Sequence, residues 1–418
     1  MLQAGSLEIS TLWQDKPAFQ ESTTAFYEGL HLALTHQSPR VAELWPNSDA
    51  LKGLFSPFAV QIPQSTYEQA QELIQALWHL SQKPAYRKQV TSQQGSTAPP
   101  SAWPAASGVL MAFDFHLGED SQLRLIEVNT NAAGFLLVNN LYKDNRSSTD
   151  QLLASFAKDY QLFVDSLEFS GRPDFSSCHL AIVDQDLLGQ KMLPEFYLYQ
   201  SLFSSRGLQC SLLDITELAV NSGRLCGPDG RPIDFVYNRC TDFYLEQPDS
   251  SALRWAYENH ACCVSPHPAV YALLADKRRI MDWKAWDCLP EKITECLLGT
   301  RPLSSFSDPE QVWGQRKNLF FKPQSSHGGK QVYRGSSISK KMFMNLWGNP
   351  DMLAQEYFPS APPTFIGPLR PASNEGWKYD IRFYVYEDQI QLGAARLYQG
   401  QVTNFSTPLG GFAPLTFS

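Results

Sequence analysis

The sequence predicts an α+β chain with an α/β part inside it, and three observations carry that expectation. Ala70, Leu73, Ile74, Leu77 and Trp78 repeat at three- and four-residue spacing, which marks an amphipathic helix over 66–80. Short apolar strands and a helix alternate between about 179 and 237, the pattern of a small parallel sheet. From about 276 onward strand signals dominate, so that part is expected to be mostly antiparallel.

Taken in order, residues 92–107 read as an exposed Ser-, Pro- and Ala-rich connection, followed by strands at 108–115 and 123–128 joined by the turn Gly118-Glu119-Asp120-Ser121. The next unit has a strand at 179–183, a helix over 194–206 stopped by Gly207, and strands at 210–213 and 233–237. Its form is Rossmann-like, but no Gly-rich fingerprint follows the first strand, so a dinucleotide site is not supported. A helix over 277–286 opens the last part, with strands at 319–323, 352–358, 381–386 and 389–397. These pieces divide the chain at about 165 and 275. Residues 1–165 hold helices and the first strand pair, 166–275 the Rossmann-like unit, and 276–418 the strand-rich remainder.

Composition narrows the function. A chain of 418 residues is long enough for two or three packed units. A net charge of -8 with scattered Lys and Arg argues against a nucleic-acid partner, because phosphate backbones are held by clustered cations. No apolar run is long enough to span a bilayer, and residues 1–13 carry Glu8 and no basic stretch. A soluble, cytoplasmic protein with no membrane partner is expected. Eight Cys without C-x-x-C spacing fit reduced thiols and make neither a zinc site nor a disulfide framework.

Three groups of residues carry chemistry. Asp114 stands on the first strand of the 108–128 pair, and Glu127 and Asn129, two apart, share one face of the second. Such oxygen ligands suit Mg2+, while the plainer alternative is a polar-faced hairpin with solvated acids. Lys322 ends an apolar strand and is followed by the small-residue loop Gln324 to Val332, which suits a phosphate chain, although taken alone such a loop is more often a plain flexible turn. Arg382 and Arg396 on the late strands suit bidentate anion contacts, or else pair at the surface with Asp380, Glu387 or Asp388.

Together these pieces resemble the ATP-grasp superfamily. Asp114, Glu127 and Asn129 look like the magnesium-binding Asp and Glu-x-Asn motif of D-alanine ligases and their relatives. Phe321-Lys322-Pro323 with its loop resembles the nucleotide-phosphate Lys and mobile loop, Gln355-Glu356-Tyr357-Phe358 the hinge strand beside adenine, and Asp276-Lys277 the Asp-Lys that supplies another phosphate Lys. In the usual order the metal motif follows the strands of Arg382 and Arg396, whereas here it precedes them. The resemblance therefore implies a circularly permuted ATP-grasp fold with a Rossmann-like unit, as in the glutathionylspermidine synthetase and eukaryotic glutathione synthetase branch.

That resemblance implies ATP and Mg2+ as cofactors and a carbon–nitrogen ligase that joins a small-molecule or peptide carboxylate to an amine through an acyl phosphate. A phosphotransferase or a non-catalytic nucleotide-binding protein on the same scaffold are the alternatives. Metal ligation falls to Asp114, Glu127 and Asn129, and catalysis to Arg382, Arg396 and Lys322. Nucleotide binding falls to Lys277, Lys322, Ser325, Ser326, Gly328, Gly329, Lys330, Gln355, Glu356, Tyr357 and Phe358. Substrate contacts are expected from Asn238, Arg239 and Asp242 at a strand end of the Rossmann-like unit, where a helix cap and salt bridge is the competing reading, and from His116, Asn131 and Asn404.

Overall fold

The computed structural model of the chain describes residues 19–94, 107–142, 145–167, 171–324, 332–401, 403–404 and 406–418. Its amphipathic helix runs Gln64–Ser81, with the expected apolar stripe at Ala70, Leu73, Ile74 and Leu77 fully buried. Just before it lies β1 (Ala59–Ile62), too short to be read from the sequence. Ser92 to Gln94 continue the helix Pro84–Gln94 instead of opening a loop, and the remainder of that expected connection up to residue 106 lies outside the described residues.

The first strand pair is β2 (Met111–Leu117) and β3 (Leu123–Asn129). β2 starts later than expected because the stretch before it is tied elsewhere: the Ser107 and Gly108 amides donate to the buried Asp159 carboxylate at 2.8 and 2.9 Å. Asp159 sits on the helix Asn145–Asp165 and also accepts from Ser265 Oγ and Tyr386 Oη, so one carboxylate joins four segments.

The parallel sheet is built from β4 (His179–Asp184), β5 (Gln209–Asp214), β8 (Phe235–Asn238) and β9 (Cys263–Ser265), in the order β5-β4-β8-β9. The helix Leu193–Ser205 crosses between the first two strands. β9 was not expected, nor was the small hairpin of β6 (Ala219–Asn221) and β7 (Arg224–Cys226). Three-residue strands carry too few alternations for a period to show.

The last part opens on the helix Arg279–Lys284, shorter than expected because a π-helical turn, Tyr271–Ala275, precedes it and Asp276 caps Arg278 and Arg279. A four-stranded antiparallel sheet follows, β10-β13-β11-β12, from β10 (Thr300–Pro302), β11 (Leu319–Pro323), β12 (Tyr333–Arg334) and β13 (Met352–Glu356). One face of it, Phe321, Met352 and Ala354, packs on Val312, Phe343 and Leu346 of the helices Pro309–Gln315 and Lys340–Trp347. In an antiparallel ladder directly opposed residues share a face, so Lys322 and Leu353, with Phe320 and Gln355, form the other.

β14 (Thr364–Ile366), β15 (Trp377–Tyr386), β16 (Gln389–Gln399), β17 (Gly411–Ala413) and β18 (Leu415–Phe417) complete the chain. β14 and β18 flank β1 in a three-stranded sheet. The central sheet has the order β17-β16-β15-β2-β3, so strands of the late chain pair directly with the early hairpin. Its back face packs on the Gln64–Ser81 helix, where the Tyr67 and Phe383 rings meet edge to face at 5.9 Å. The front face carries the charged residues.

Candidate active site

Cross-strand register assembles the front face. Arg382 stands opposite Asp114, Asp114 opposite Glu127, Ala112 opposite Asn129, and Asp380 opposite Arg396. Residues two apart keep the same side, so all six functional groups project from one face of one sheet. Residues 114–129 and 380–396, far apart in the chain, are therefore in direct contact. Arg382 Nε and Nη2 donate to the two Asp114 oxygens, each at 2.7 Å, and Arg396 Nη2 donates to Asp114 Oδ2 at 2.9 Å.

Asp114 is 1% exposed. Burial by itself pushes its carboxyl upward, but the two guanidinium groups outweigh that and hold it below the usual carboxylate range. The Asp114 carboxylate, joined by Asp380, in turn keeps Arg382 and Arg396 charged against their own burial. Asn129 Nδ2 donates to Asp114 Oδ2 at 3.2 Å and Glu127 Oε1 at 3.4 Å, which orients its amide toward both acids.

Across from this face stands Lys322 of the other sheet, whose Nζ donates to the Ile126 carbonyl at 3.4 Å. Burial pushes its ammonium down to about 8, Glu127 acting against that shift and Lys277 with it. Lys277 Nζ donates to Pro323 O at 3.2 Å and is lowered by burial too, with Glu127 and Asp351 opposing. One sheet therefore presents acids and arginines toward Lys322 of the other, with Lys277 reaching in from the segment before the Arg279–Lys284 helix.

The oxygens of Asp114, Glu127 and Asn129 are a donor set that suits Mg2+ completing its shell with phosphates and water, and because both Asp114 oxygens accept from Arg382, Oδ2 also from Arg396, and Asn129 Nδ2 faces both acids, a metal would displace some of these bonds. Among the described residues no group of three His, Cys, Asp or Glu stands close enough together to hold a metal ion. Residues 325–331, with Ser325, Ser326, Gly328, Gly329 and Lys330, lie outside the described residues.

The segment expected beside adenine lies at the end of β13, an interior strand of its sheet. Gln355 is buried and bonds Thr300 Oγ1 at 3.0 Å, and the Glu356 carboxylate accepts from Gly299 N at 2.7 Å. The Glu356 and Tyr357 amides donate to Gly299 O and Asn318 O, and β13 ends before Tyr357 and Phe358. His116 Nδ1 lies 2.8 Å from Phe358 O. A carbonyl only accepts, so Nδ1 carries the proton, and the histidine fastens this segment to the acid-bearing hairpin.

At the strand ends of the Rossmann-like unit the three named residues have different surroundings. Asp242 accepts from the Glu246 and Gln247 amides and from Ser250 Oγ at 2.6–3.0 Å, as a cap does. Asn238 Oδ1 accepts from Cys240 N at 3.0 Å. Arg239 is buried and donates to Ala132 O at 2.7 Å, and Asn131 Nδ2 donates to Cys240 O at 2.6 Å. Arg239 and Asn131 thus tie this unit to the loop after Asn129.

Sequence reasoning missed who holds that loop from below. Glu195 accepts from the Gly134 and Leu136 amides at 2.7 and 3.2 Å, while Tyr384 Oη donates to Ala133 O at 2.8 Å. Gly134 has φ +98°, and a Cβ there would come within 2.7 Å of Phe412 and 2.8 Å of Tyr384 Oη, so the site requires glycine. Asn404 accepts from Ser406 N at 3.0 Å and donates to Gln399 O at 3.1 Å, within its own loop.

Asp184, at the end of β4, has a carboxyl pushed up to about 6, chiefly by burial against the opposing pull of Arg239. A folded pKa above the unfolded value means the native state binds the extra proton, so this group's cost is absent at low pH and grows between about pH 4 and 6. Asp184→Asn is expected to raise stability at pH 7 by about 2 kcal/mol and to flatten the pH dependence in that window. Urea unfolding at pH 4 and pH 7 checks this, and an equal effect at both would contradict it.

The charged groups of β2, β3, β15 and β16 on one sheet thus face Lys322 of β11 on the other. Among solved structures, a glutathione synthetase-like effector from Globodera pallida is similar over 98% of this chain and 100% of that one, with a TM-score of 0.53 and 12% identity. The chain therefore has the fold of that protein. A putative gamma-glutamylcysteine synthetase from Methylobacillus flagellatus is similar over 86% of this chain and 90% of that one (TM-score 0.49, 12% identity). The ATP-grasp ligase PsnB, solved with a precursor variant, Mg and ADP, is similar over 56% and 78% (TM-score 0.33, 15% identity). No family model matches the sequence, and no curated protein does. Among the described residues no helix is long and apolar enough to cross a membrane.

Proposed function

We propose that the chain is an ATP- and Mg2+-dependent carboxylate–amine ligase in permuted order. The observation that carries this reading is the shared front face: Asp114, Glu127 and Asn129 beside Arg382 and Arg396, with Lys322 across the cleft. Bound Mg2+ and ATP would supply the phosphoryl group that activates a substrate carboxylate as an acyl phosphate for attack by an amine. Asp114, Glu127 and Asn129 would hold the metal, Lys322 and Lys277 would balance phosphate charge, and Arg382 and Arg396 would orient the acid and its transferring group. The side chains do no covalent work in this scheme. Charge fixed beforehand in a buried cleft and accurate positioning supply the rate enhancement.

The acid and the amine are a small molecule or peptide pair. Arg239 belongs to the framework in this reading, since its Nη1 is committed to Ala132 O and Tyr237 Oη. The test is ADP release from ATP and Mg2+ across a panel of amino acids, short peptides and polyamines. ADP formation that requires both an acid and an amine, with an amide product by mass spectrometry, is expected. Phosphorylated product without an amine requirement would make the chain a phosphotransferase, and nucleotide binding without turnover a binding protein.

A further inference from the structure

The charged ladder extends past the residues assigned so far. Asp380 is 3% exposed and lies opposite Arg396 in the sheet. Its Oδ1 accepts from Arg396 Nε at 2.6 Å, and its Oδ2 accepts from Thr403 Oγ1 at 2.5 Å. Arg396 is thus bonded by Asp380 at one end of its guanidinium and by Asp114 at the other, which fixes the plane of the group.

Thr403 stands in the connection between β16 and β17. That connection is tied down beside it, with Lys378 Nζ donating to Gly400 O at 2.5 Å and Thr407 Oγ1 to Asn404 Oδ1 at 3.1 Å. Two residues before Thr403, Gln401 accepts from Ser337 Oγ in the turn Gly335–Ser337, which follows β12 of the lysine-bearing sheet. One short connection therefore touches both walls of the cleft, the lysine sheet through Gln401 and the arginine ladder through Thr403.

We propose that Thr403 and Asp380 are positioning residues that set the plane of Arg396, and that Gln401 makes this setting depend on where the lysine sheet sits. Without the Thr403 hydroxyl, one Asp380 oxygen loses its donor, and the carboxylate that sets one end of the Arg396 guanidinium is less firmly oriented. A guanidinium that acts on a developing charge loses its effect when its direction drifts, while ground-state nucleotide binding changes little.

The inference rests on reading the cleft as an Mg2+-ATP site, and the two can fail separately. The assay is steady-state ADP release from Mg2+-ATP, with far-UV circular dichroism and melting temperature as controls for folding. Thr403→Val is expected to lower kcat about tenfold with KM for ATP within about twofold, the loss typical of one bond to a charged group. Thr403→Ser restores the hydroxyl and the rate. Gln401→Ala, at an exposed position, is expected to lower kcat about threefold. An active wild-type protein whose Thr403→Val variant keeps full kcat, or loses KM and kcat together with its melting temperature while Gln401→Ala is unaffected, overturns the inference. A wild-type protein that neither binds Mg2+-ATP nor releases ADP overturns the reading of the cleft, and this inference with it.

Discussion

Asp114→Asn is expected to abolish Mg2+-dependent ATP turnover, a loss of at least about a hundredfold, and also to lower stability by about 3 kcal/mol. The two effects have separate origins. Activity falls because the metal loses a charged oxygen. Stability falls because Arg382 and Arg396 are left buried with one carboxylate fewer, and removing one partner from a buried ion pair costs more than the pair contributes. Glu127→Gln separates them. Glu127 makes no ion pair with either arginine, so its variant is expected to lose activity as fully while unfolding within about 1 kcal/mol of wild type. Steady-state ADP release and urea unfolding on both variants check this. Near-normal turnover in a folded Glu127→Gln protein would contradict the metal assignment.

Lys322→Met is expected to move activity and stability in opposite directions. With a folded pKa of about 8, Lys322 is held charged in a place that disfavours charge. The folded value is lowered below the unfolded one of about 10.4, so the cost is fully present below pH 8 and disappears as pH rises through 8 to 10.4. Replacing the ammonium with an apolar chain of similar length should therefore stabilise the fold at pH 7 by about 2 kcal/mol, an advantage that fades by about pH 10.5. The same change removes the cation across from Asp114 and Glu127, and kcat/KM for ATP is expected to fall about a hundredfold. A gain in stability with a loss of function is the mark of a residue kept for its site. A variant that lost both would point to a structural lysine.

Much of the cleft was legible because strand alternation is a local rule. It put Glu127 and Asn129 on one side of β3, and the register then set Asp114 against Glu127. The strand of Lys322 has the expected bounds, Leu319–Pro323, because an apolar run ending in Pro is read without tertiary information. Partner choice was not legible. Arg396 does pair with Asp380, as the plainer reading had it, yet the pair is buried in the cleft and not at the surface, a distinction carried only by the packing of β15 between β16 and β2. Gly411 serves the fold: it has φ +110°, and a Cβ there would come within 2.4 Å of the Leu54 backbone. The cradle of Glu195 and Arg239 under residues 131–136 was missed because nothing in a helix start or a strand end names the distant loop it will hold.

The most direct test of the central claim, that two sheets present one Mg2+-nucleotide site between Asp114 and Lys322, is calorimetric titration with a non-hydrolysable ATP analogue, with and without Mg2+. Saturable one-to-one binding that needs Mg2+, and is lost in both Glu127→Gln and Lys322→Met, is the expected result. Binding that ignores Mg2+ and survives both substitutions would place the nucleotide elsewhere and contradict the account.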